Sequence, residues 1–213
     1  MTEIRNGVLQ LRRCGPDGSL CDSLRSAPIP PRSADVATKI ISSDIPTILA
    51  LIKELAAYEK ASSSVLASEE SLQKTLFGPR PYGYTLLIFP PHSGSEEPQC
   101  AGLALYFYNY STWRAAPGIY LEDLFIRPTF RGKGYGKRLF GELARELKSV
   151  GGERLEWSVL KWNQPSIDFY EGFAGAKKME EWMTMRVDDE ENGVEKLASW
   201  GKGVQGTREE VAK

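Results

Sequence analysis

The chain has 213 residues, 41% of them hydrophobic and 26% charged, and its 27 Lys and Arg against 28 Asp and Glu give a net charge of −1. These values are typical of one globular domain with room for extra segments, and they argue against a general nucleic-acid-binding surface. No apolar run approaches the roughly 20 residues that span a bilayer, and Glu3, Arg5 and Asn6 leave no apolar signal-peptide core. We therefore expect neither nucleic acid nor membrane among the partners.

The cysteines and the histidine exclude several chemistries. Cys14, Cys21 and Cys100 are odd in number and lack the spacing of metal ligands. We therefore expect free thiols in a reducing compartment, a cytoplasmic location and no metal site. His92, the single histidine of the sequence, lies in a proline-rich segment that predicts a loop. A Ser-His-Asp or Cys-His mechanism is not expected, because it needs a placed imidazole.

The first 43 residues predict one strand and a long loop. Segments 7–13 and 35–41 both have a pattern typical of a short strand, and a Ser-, Pro- and Gly-rich segment separates them. One of the two is expected to be the first strand of the core, and we favour 7–13. That choice leaves an unusually long loop before the first helix. We attribute the loop to a partly disordered insertion, such as a translated retained intron, or to an extension.

Two helices are predicted next. Asp44 is a residue type that favours a helix N-cap, and apolar residues at helical spacing continue an amphipathic helix to about Lys60. Ser68 predicts the cap of a second helix. The glycine and prolines of segment 78–81 end that helix.

Strands and helices then alternate. Aromatic and apolar runs predict strands over residues 82–89, 99–108, 118–127, 154–160 and 177–187. Helical periodicity predicts helices over residues 134–150, 166–174 and, more weakly, 194–200. The first two strands should pair as a hairpin, and the connection through helix 134–150 should join two parallel strands. The order indicates an α/β fold with a mixed sheet, whose ligands bind beyond the carboxyl ends of the parallel strands.

The turn between strand 118–127 and helix 134–150 carries the strongest functional signal. It combines three glycines with three cations: Arg131, Gly132, Lys133, Gly134, Gly136 and Lys137. Glycines allow close approach of the backbone, and the free N–H groups of a helix start attract anions, so the turn predicts a diphosphate site. The P-loop and Rossmann patterns do not fit. The spacing Arg-x-x-Gly-x-Gly resembles the acyl-CoA pyrophosphate loop of the GCN5-related N-acetyltransferases.

Further motifs in the same order extend this resemblance over roughly residues 44–188. They are IKELAAYEK, IYLEDLFI, RGKGYGKR, KWNQPSIDFYEGFAGA and EEWMTMRVD. Together they resemble the diamine acetyltransferase branch of that superfamily, which includes spermidine/spermine and thialysine acetyltransferases. The resemblance implies a GNAT fold, in which helices flank a twisted mixed sheet with a V-shaped splay between its two central parallel strands. It also implies an acetyltransferase domain over 44–188, a charged tail over 189–213 and a homodimer.

The activity implied by the resemblance is transfer of the acetyl group of acetyl-CoA to a primary amine. The acceptor would be a small polyamine or a lysine-like amino acid, attacking directly in a ternary complex without a metal. An alkyl amine has a pKa of about 10.4 and arrives protonated, so it needs a proton acceptor, and the departing thiolate benefits from a donor. By resemblance, Glu122 accepts the amine proton through water and Tyr170 donates to the thiolate. Glu122 and Asp123 are expected to point to opposite faces of their strand.

The resemblance also implies the binding residues. Acetyl-CoA contacts are expected from Leu124, Phe125, Ile126, Arg131, Gly132, Lys133, Gly134, Tyr135, Gly136, Lys137, Asn163, Ser166 and Tyr170. The backbone of residues 124–126 should pair with the pantetheine amides like an added strand. The amine pocket is expected from Tyr58, Glu59, Glu122, Glu156, Trp157 and Ser158, since aromatic faces and carboxylates suit a cation.

Two questions stay open at this level. Lys161 stands where diamine-type members carry an acidic residue, and a positive charge there would favour an amine that also bears a carboxylate. A protein or peptide N-acetyltransferase and a non-catalytic acyl-CoA-binding module are alternatives on the same fold, since fold alone does not fix the substrate.

Overall fold

The computed structural model describes residues 36–39, 41–91, 99–189 and 192–201. The chain forms two compact units, Met1–Ala174 and Gly175–Lys213. The elements of the first unit are β1 (Val36–Lys39), α1 (Ile45–Tyr58), α2 (Glu69–Phe77), β2 (Tyr84–Phe89), β3 (Gly102–Ser111), β4 (Ala116–Ile126), α3 (Tyr135–Ser149), β5 (Arg154–Trp157) and α4 (Gln164–Ala174). The second unit contains α5 (Gly193–Trp200). No helix in these ranges is long and apolar enough to span a bilayer.

The sheet is mixed, as the sequence predicts. Its strands lie in chain order, with antiparallel pairs from β1 to β4 and a parallel pair between β4 and β5. The parallel pairing runs from Gly118 opposite Arg154 to Leu121 opposite Trp157. Strand β5 is paired along its whole length and ends at Trp157, whereas β4 continues to Ile126 beyond this pairing. The predicted mixed sheet is confirmed, but β5 is the edge strand of the described sheet and not a central one, as the resemblance had implied.

Helices cover both faces of the sheet, because successive residues of a strand point to opposite sides. On β3, Leu103 packs into the cluster with α1 and α2, while Ala104 packs into the cluster with α3. Helix α3 contributes Leu139, Phe140, Leu143 and Leu147 to its cluster. Each such buried side chain stabilises the fold by about 1.5–3 kcal/mol.

The first strand of the described sheet differs from the one we favoured. Strand β1 is Val36–Lys39, which pairs with β2 from Val36 opposite Phe89 to Lys39 opposite Leu86. The alternative segment 35–41 therefore supplies this strand, and the preference for 7–13 is wrong for this position. Residues 7–13 themselves lie outside the described residues. The short connection from Lys39 to α1 removes the long loop that the other choice required.

The strand predicted over 177–187 does not form. Residues 175–189 contain no strand, and Met179, Trp182, Met183 and Met185 are all more than half exposed. A strand exists through the hydrogen bonds that it makes with a neighbour. Alternating apolar residues specify which face such a strand would bury, but they do not supply the neighbour.

The structure tests the N-cap residues that we predicted for α1 and α2. The Ser68 hydroxyl accepts a hydrogen bond from Ser71 N at 3.1 Å, and the Ser71 hydroxyl accepts one from Ser68 N at 2.9 Å. The predicted cap of α2 is therefore confirmed. Asp44 precedes α1, but its carboxylate accepts a hydrogen bond from Ile41 N at 2.9 Å and makes none to the helix. It closes the 3-10 turn Ser42–Asp44. Asp44 is the N-cap residue of α1, as predicted, but its side chain makes no cap hydrogen bond.

Candidate active site

A β-bulge in β4 shapes the centre of the site. Leu105 of β3 pairs with Asp123 and the next residue, Tyr106, pairs with Leu121, so Glu122 is an extra residue in the ladder. A bulge interrupts the alternation of side chains, and Leu121 and Leu124, which flank the two acids, both pack in the cluster with α3. Glu122 and Asp123 therefore share the opposite face of the sheet, and both line one cavity. The expectation that they point to opposite faces is therefore wrong, because counting alternate positions assumes an unbroken ladder.

The cavity has a volume of about 340 Å³ and lies where β4 and β5 part. This is the position at which open α/β sheets bind ligands. Twelve of the predicted residues line it: Tyr58, Glu59, Glu122, Leu124, Phe125, Ile126, Arg131, Trp157, Ser158, Asn163, Ser166 and Tyr170. The fold thus collects side chains from α1, β4, the region after β5 and α4 around one space.

Five further residues line the cavity that we did not predict: Leu55, Leu121, Asp123, Val159 and Leu160. Leu55 lies one turn before Tyr58 on α1, so helical spacing could have indicated it. Val159 and Leu160 follow β5 and lie beyond the carboxyl end of that strand. Asp123 is adjacent to Glu122, and its acidic character within an apolar run was the available signal.

Other predicted residues lie outside the cavity wall. Residues 132–137 form the turn and the first residues of α3. The Glu156 carboxylate accepts a hydrogen bond from Asn109 Nδ2 at 2.7 Å and lies 2.7 Å from Arg154 Nε. Lys161 is exposed and does not line the cavity.

Tyr170 is held by aromatic packing. Its ring centroid lies 5.1 Å from that of Trp157, 5.8 Å from that of Phe140 and 5.6 Å from that of Phe169. Burial raises the pKa of Tyr170 to about 12, with smaller contributions from the negative charge of Glu59 and from Tyr58. The phenol therefore keeps its proton throughout the neutral and mildly alkaline range, so that it is able to donate it.

Three carboxylates share the cavity. Burial raises the pKa of Asp123 to about 6, and the negative charges of Glu122 and Glu59 add to the effect. Burial also raises the pKa of Glu59. In the described part of the chain, no group of three or more His, Cys, Asp and Glu could hold a metal ion. Glu59, Glu122 and Asp123 together form an acidic wall of the cavity, and such a wall suits a cation.

The end of α1 is tied to the other walls of the cavity. The Tyr58 hydroxyl donates a hydrogen bond to Asn163 Oδ1 at 3.1 Å, and Asn163 is buried. The Arg131 guanidinium carbon lies 4.8 Å from the centroid of the Tyr58 ring, and Arg131 Nε donates to the Ile126 carbonyl at 3.0 Å. These contacts connect α1, β4 and the segment before α4.

The start of α3 fits an anion. Gly132 and Gly134 have φ angles of +75° and +83°, which glycine adopts at low cost. In contrast to α2, no side chain caps α3 among the described residues. The first N–H groups of an α-helix have no partner within the helix, and the helix dipole favours negative charge at this end. Exposed Lys133 and Lys137 add positive charge to the same turn, which fits a diphosphate.

An ion pair next to the site was not predicted. Arg127 follows β4, and its Nε and Nη2 donate to the Glu54 carboxylate of α1 at 2.7–3.0 Å. Arg127 Nη1 also donates to the Cys100 carbonyl at 2.7 Å. The pair connects the middle of α1 to the end of β4, one helical turn before Tyr58 and Glu59. The two partners are 73 positions apart in the sequence, so no local pattern indicates them.

Comparisons with known proteins agree with this geometry. Residues 54–175 match the Acetyltransferase (GNAT) family. A thialysine N-epsilon-acetyltransferase from Bos taurus is 38% identical over 153 residues, which cover 69% of this chain and 88% of that protein. An L-ornithine N5-acetyltransferase from Arabidopsis thaliana is 32% identical over 183 residues, covering 68% of this chain and 80% of that protein.

The fold has counterparts among solved structures. An integron cassette protein from V. cholerae superposes with a TM-score of 0.60 at 24% identity, covering 75% of this chain and 94% of that chain. The family match includes the turn before α3, the cavity and α4. The mixed sheet with its parallel pair of β4 and β5 agrees with these matches. The family match and the identities to acetyltransferases show that the chain belongs to the GNAT family of acetyltransferases.

Proposed function

We propose that the protein transfers the acetyl group of acetyl-CoA to the primary amine of a small diamine, polyamine or lysine-like amino acid. The observation that carries the proposal is the single cavity that contains a protonated phenol, Tyr170, together with the carboxylates of Glu59, Glu122 and Asp123. Acyl transfer to an ammonium ion needs both kinds of group, because one proton must leave nitrogen and another must reach sulfur.

Acetyl-CoA is the co-substrate that the turn before α3 would hold. The N–H groups at the start of α3, with Arg131, Lys133 and Lys137, would bind the diphosphate. The backbone of residues 124–126 lies on the part of β4 beyond its pairing with β5, where an extended ligand arm could pair with β4 as β5 does earlier in the strand. Asn163 and Ser166 are expected beside that arm. When bound, acetyl-CoA supplies an activated thioester.

Glu122 and Tyr170 have complementary roles in this proposal. Glu122 accepts the proton of the substrate ammonium through a water molecule, which leaves a neutral amine able to attack the thioester carbon. Tyr170 donates its hydroxyl proton to the sulfur as the carbon–sulfur bond breaks. The raised pKa of Tyr170 supports the donor role, since a phenol must be protonated to donate.

The acceptor class follows from the cavity and from the relatives. Glu59, Glu122 and Asp123 favour a cation, and the Tyr58 and Trp157 rings add aromatic faces. The two relatives described above are named for transfer to a side-chain amine of an amino acid. Lys161 lies outside the cavity wall and has no role in this assignment.

The test is a thiol-release assay with acetyl-CoA and a panel of spermidine, putrescine, lysine, ornithine, thialysine and a basic peptide. We expect turnover of at least one small amine. We further expect Tyr170→Phe to lower kcat by about 100-fold or more while acetyl-CoA binding is retained. Tyr110→Phe, which removes an exposed hydroxyl on β3, is the matched control and should keep its kcat.

Three outcomes would contradict the proposal. An unchanged kcat in Tyr170→Phe would remove Tyr170 as the proton donor. Turnover of the peptide alone would reassign the protein to the peptide acetyltransferases, and binding of acetyl-CoA without any turnover would favour a binding module.

We also propose a homodimer, as the resemblance implies. Sedimentation equilibrium of the full chain would measure it, and a monomer at micromolar concentration would contradict it. The cytoplasmic location stays a prediction from the sequence.

A further inference from the structure

Asp123 and Glu122 are neighbours in the chain but occupy different environments. Glu122 is exposed, whereas Asp123 is largely covered, and both reach the cavity because the bulge turns them to one side. The apolar residues Leu55, Leu121 and Phe125 line the same cavity as Asp123. A carboxylate that water solvates poorly is a stronger base than one that water solvates well.

The charged surroundings of Asp123 favour proton uptake. The titratable and charged groups that line the cavity with it are Glu122 on its own strand, Glu59 and Tyr58 on α1, Tyr170 on α4 and Arg131 before α3. Among the described residues, none makes a salt bridge with Asp123. The single cation of this set, Arg131, lies over the Tyr58 ring and donates to the Ile126 carbonyl.

We propose that Asp123 is the residue on which the proton of the substrate ammonium comes to rest, with Glu122 and water passing it on. This assignment rests on the proposed function and deepens it. It makes the bulge a catalytic device, because an unbroken strand would send one of the two carboxylates to the opposite face of the sheet.

The protons and bonds balance. The ammonium gives one proton to Asp123, and the neutral amine forms a nitrogen–carbon bond to the thioester carbon. The carbon–sulfur bond then breaks, and Tyr170 gives its proton to sulfur. The second proton of the attacking nitrogen returns through water to Tyr170. Asp123 releases its proton to solvent after the amide has formed, so that each cycle yields one amide, one thiol and one proton.

The test compares the pH dependence of kcat in the wild type, Asp123→Asn and Glu59→Gln. In the wild type, kcat should fall below about pH 6, where Asp123 becomes protonated. Asp123→Asn should lower kcat by about 100-fold and abolish that acid limb. Glu59→Gln removes a negative charge from the same cavity and should raise KM while keeping the acid limb of kcat.

An amine of low basicity gives an independent readout. A β,β-difluorinated analogue of the preferred amine is far less basic and is mostly neutral at pH 8, so at that pH it needs no proton acceptor before it attacks. The defect of Asp123→Asn should therefore shrink at least about tenfold with this analogue. A residue that only binds the cation or supports the fold would not give this rescue.

Several outcomes would overturn the assignment. An Asp123→Asn enzyme with raised KM, wild-type kcat and an intact acid limb would make Asp123 a binding residue. Loss of the acid limb in Glu122→Gln, with its retention in Asp123→Asn, would leave Glu122 as the sole acceptor.

Thermal melting and acetyl-CoA binding check that the variants fold. If Asp123→Asn does not fold, Asp123→Glu decides, since it should retain an acid limb at a shifted pH. If the wild type turns over no amine, the proposed function itself fails, which is a separate result.

Discussion

Replacing Asp123 by asparagine is expected to stabilise the fold at neutral pH. The pKa of this carboxyl is raised from 3.8 to about 6, chiefly by burial and then by the charges of Glu122 and Glu59. The folded chain therefore binds more protons than the unfolded chain between these pH values. Stability falls as the pH rises through that window and stays lower above it.

The size of the effect follows from the pKa difference. The raised pKa of Asp123 lowers the free energy of unfolding by about 3 kcal/mol at pH 7.5 and by about 1 kcal/mol at pH 4.5. Asparagine has no such pH dependence, and the cost of burying its amide is the same at both pH values. The free energy of unfolding of Asp123→Asn, relative to that of the wild type, should therefore increase by about 2 kcal/mol from pH 4.5 to pH 7.5.

Urea unfolding of the full chain at the two pH values measures this change. Glu122→Gln is the matched control. The Glu122 carboxylate is exposed, so its removal relieves little desolvation. The free energy of unfolding of Glu122→Gln, relative to that of the wild type, should therefore change by less than about 1 kcal/mol between the two pH values. An advantage of Asp123→Asn that is the same at both pH values would refute the claim that burial of Asp123 opposes its ionisation. A stabilised but inactive variant would show that the site keeps this charge at the expense of stability.

Three further predictions concern the surroundings of the site. Gly134→Ala should lower stability by about 1 kcal/mol in urea unfolding, because φ is +83° and the added methyl group meets no atom within 4 Å, so the cost is conformational. Glu54→Gln should lower the free energy of unfolding by about 1–2 kcal/mol, since it leaves the largely covered Arg127 without its carboxylate. Glu153→Gln, at a pair in which both side chains are more than half exposed, should lower it by less than about 0.5 kcal/mol. Equal losses in the two variants would contradict this reasoning. Lys161→Glu should change the ratio of spermidine to thialysine turnover by less than about twofold, since its exposed side chain lies outside the cavity; a larger change would return Lys161 to the pocket.

Local patterns predicted much of this protein because neighbours in sequence decide them. The cap of α2 needs only Ser68 and Ser71, three positions apart. The apolar spacing of α3 and the glycines before it specify a helix start without a side-chain cap. The resemblance carried by the ordered motifs then gave Tyr170 and Glu122, which the fold brings to one cavity.

The sequence did not reveal features that depend on pairing between distant segments. Val36–Lys39 is β1 because it pairs with β2, whereas residues 177–187 have the pattern of a strand but do not form one. The ion pair of Glu54 and Arg127 likewise joins two segments that no local pattern connects.

The bulge at Glu122 shows most directly what each level decides. The sequence alone determined that two adjacent acids interrupt an apolar strand, and alternation then assigned them to opposite faces. Tertiary structure decided otherwise, because the register of β4 against β3 shifts by one residue at this point. A register is a property of two strands together, so only the folded sheet brings both carboxylates into the cavity with Tyr170.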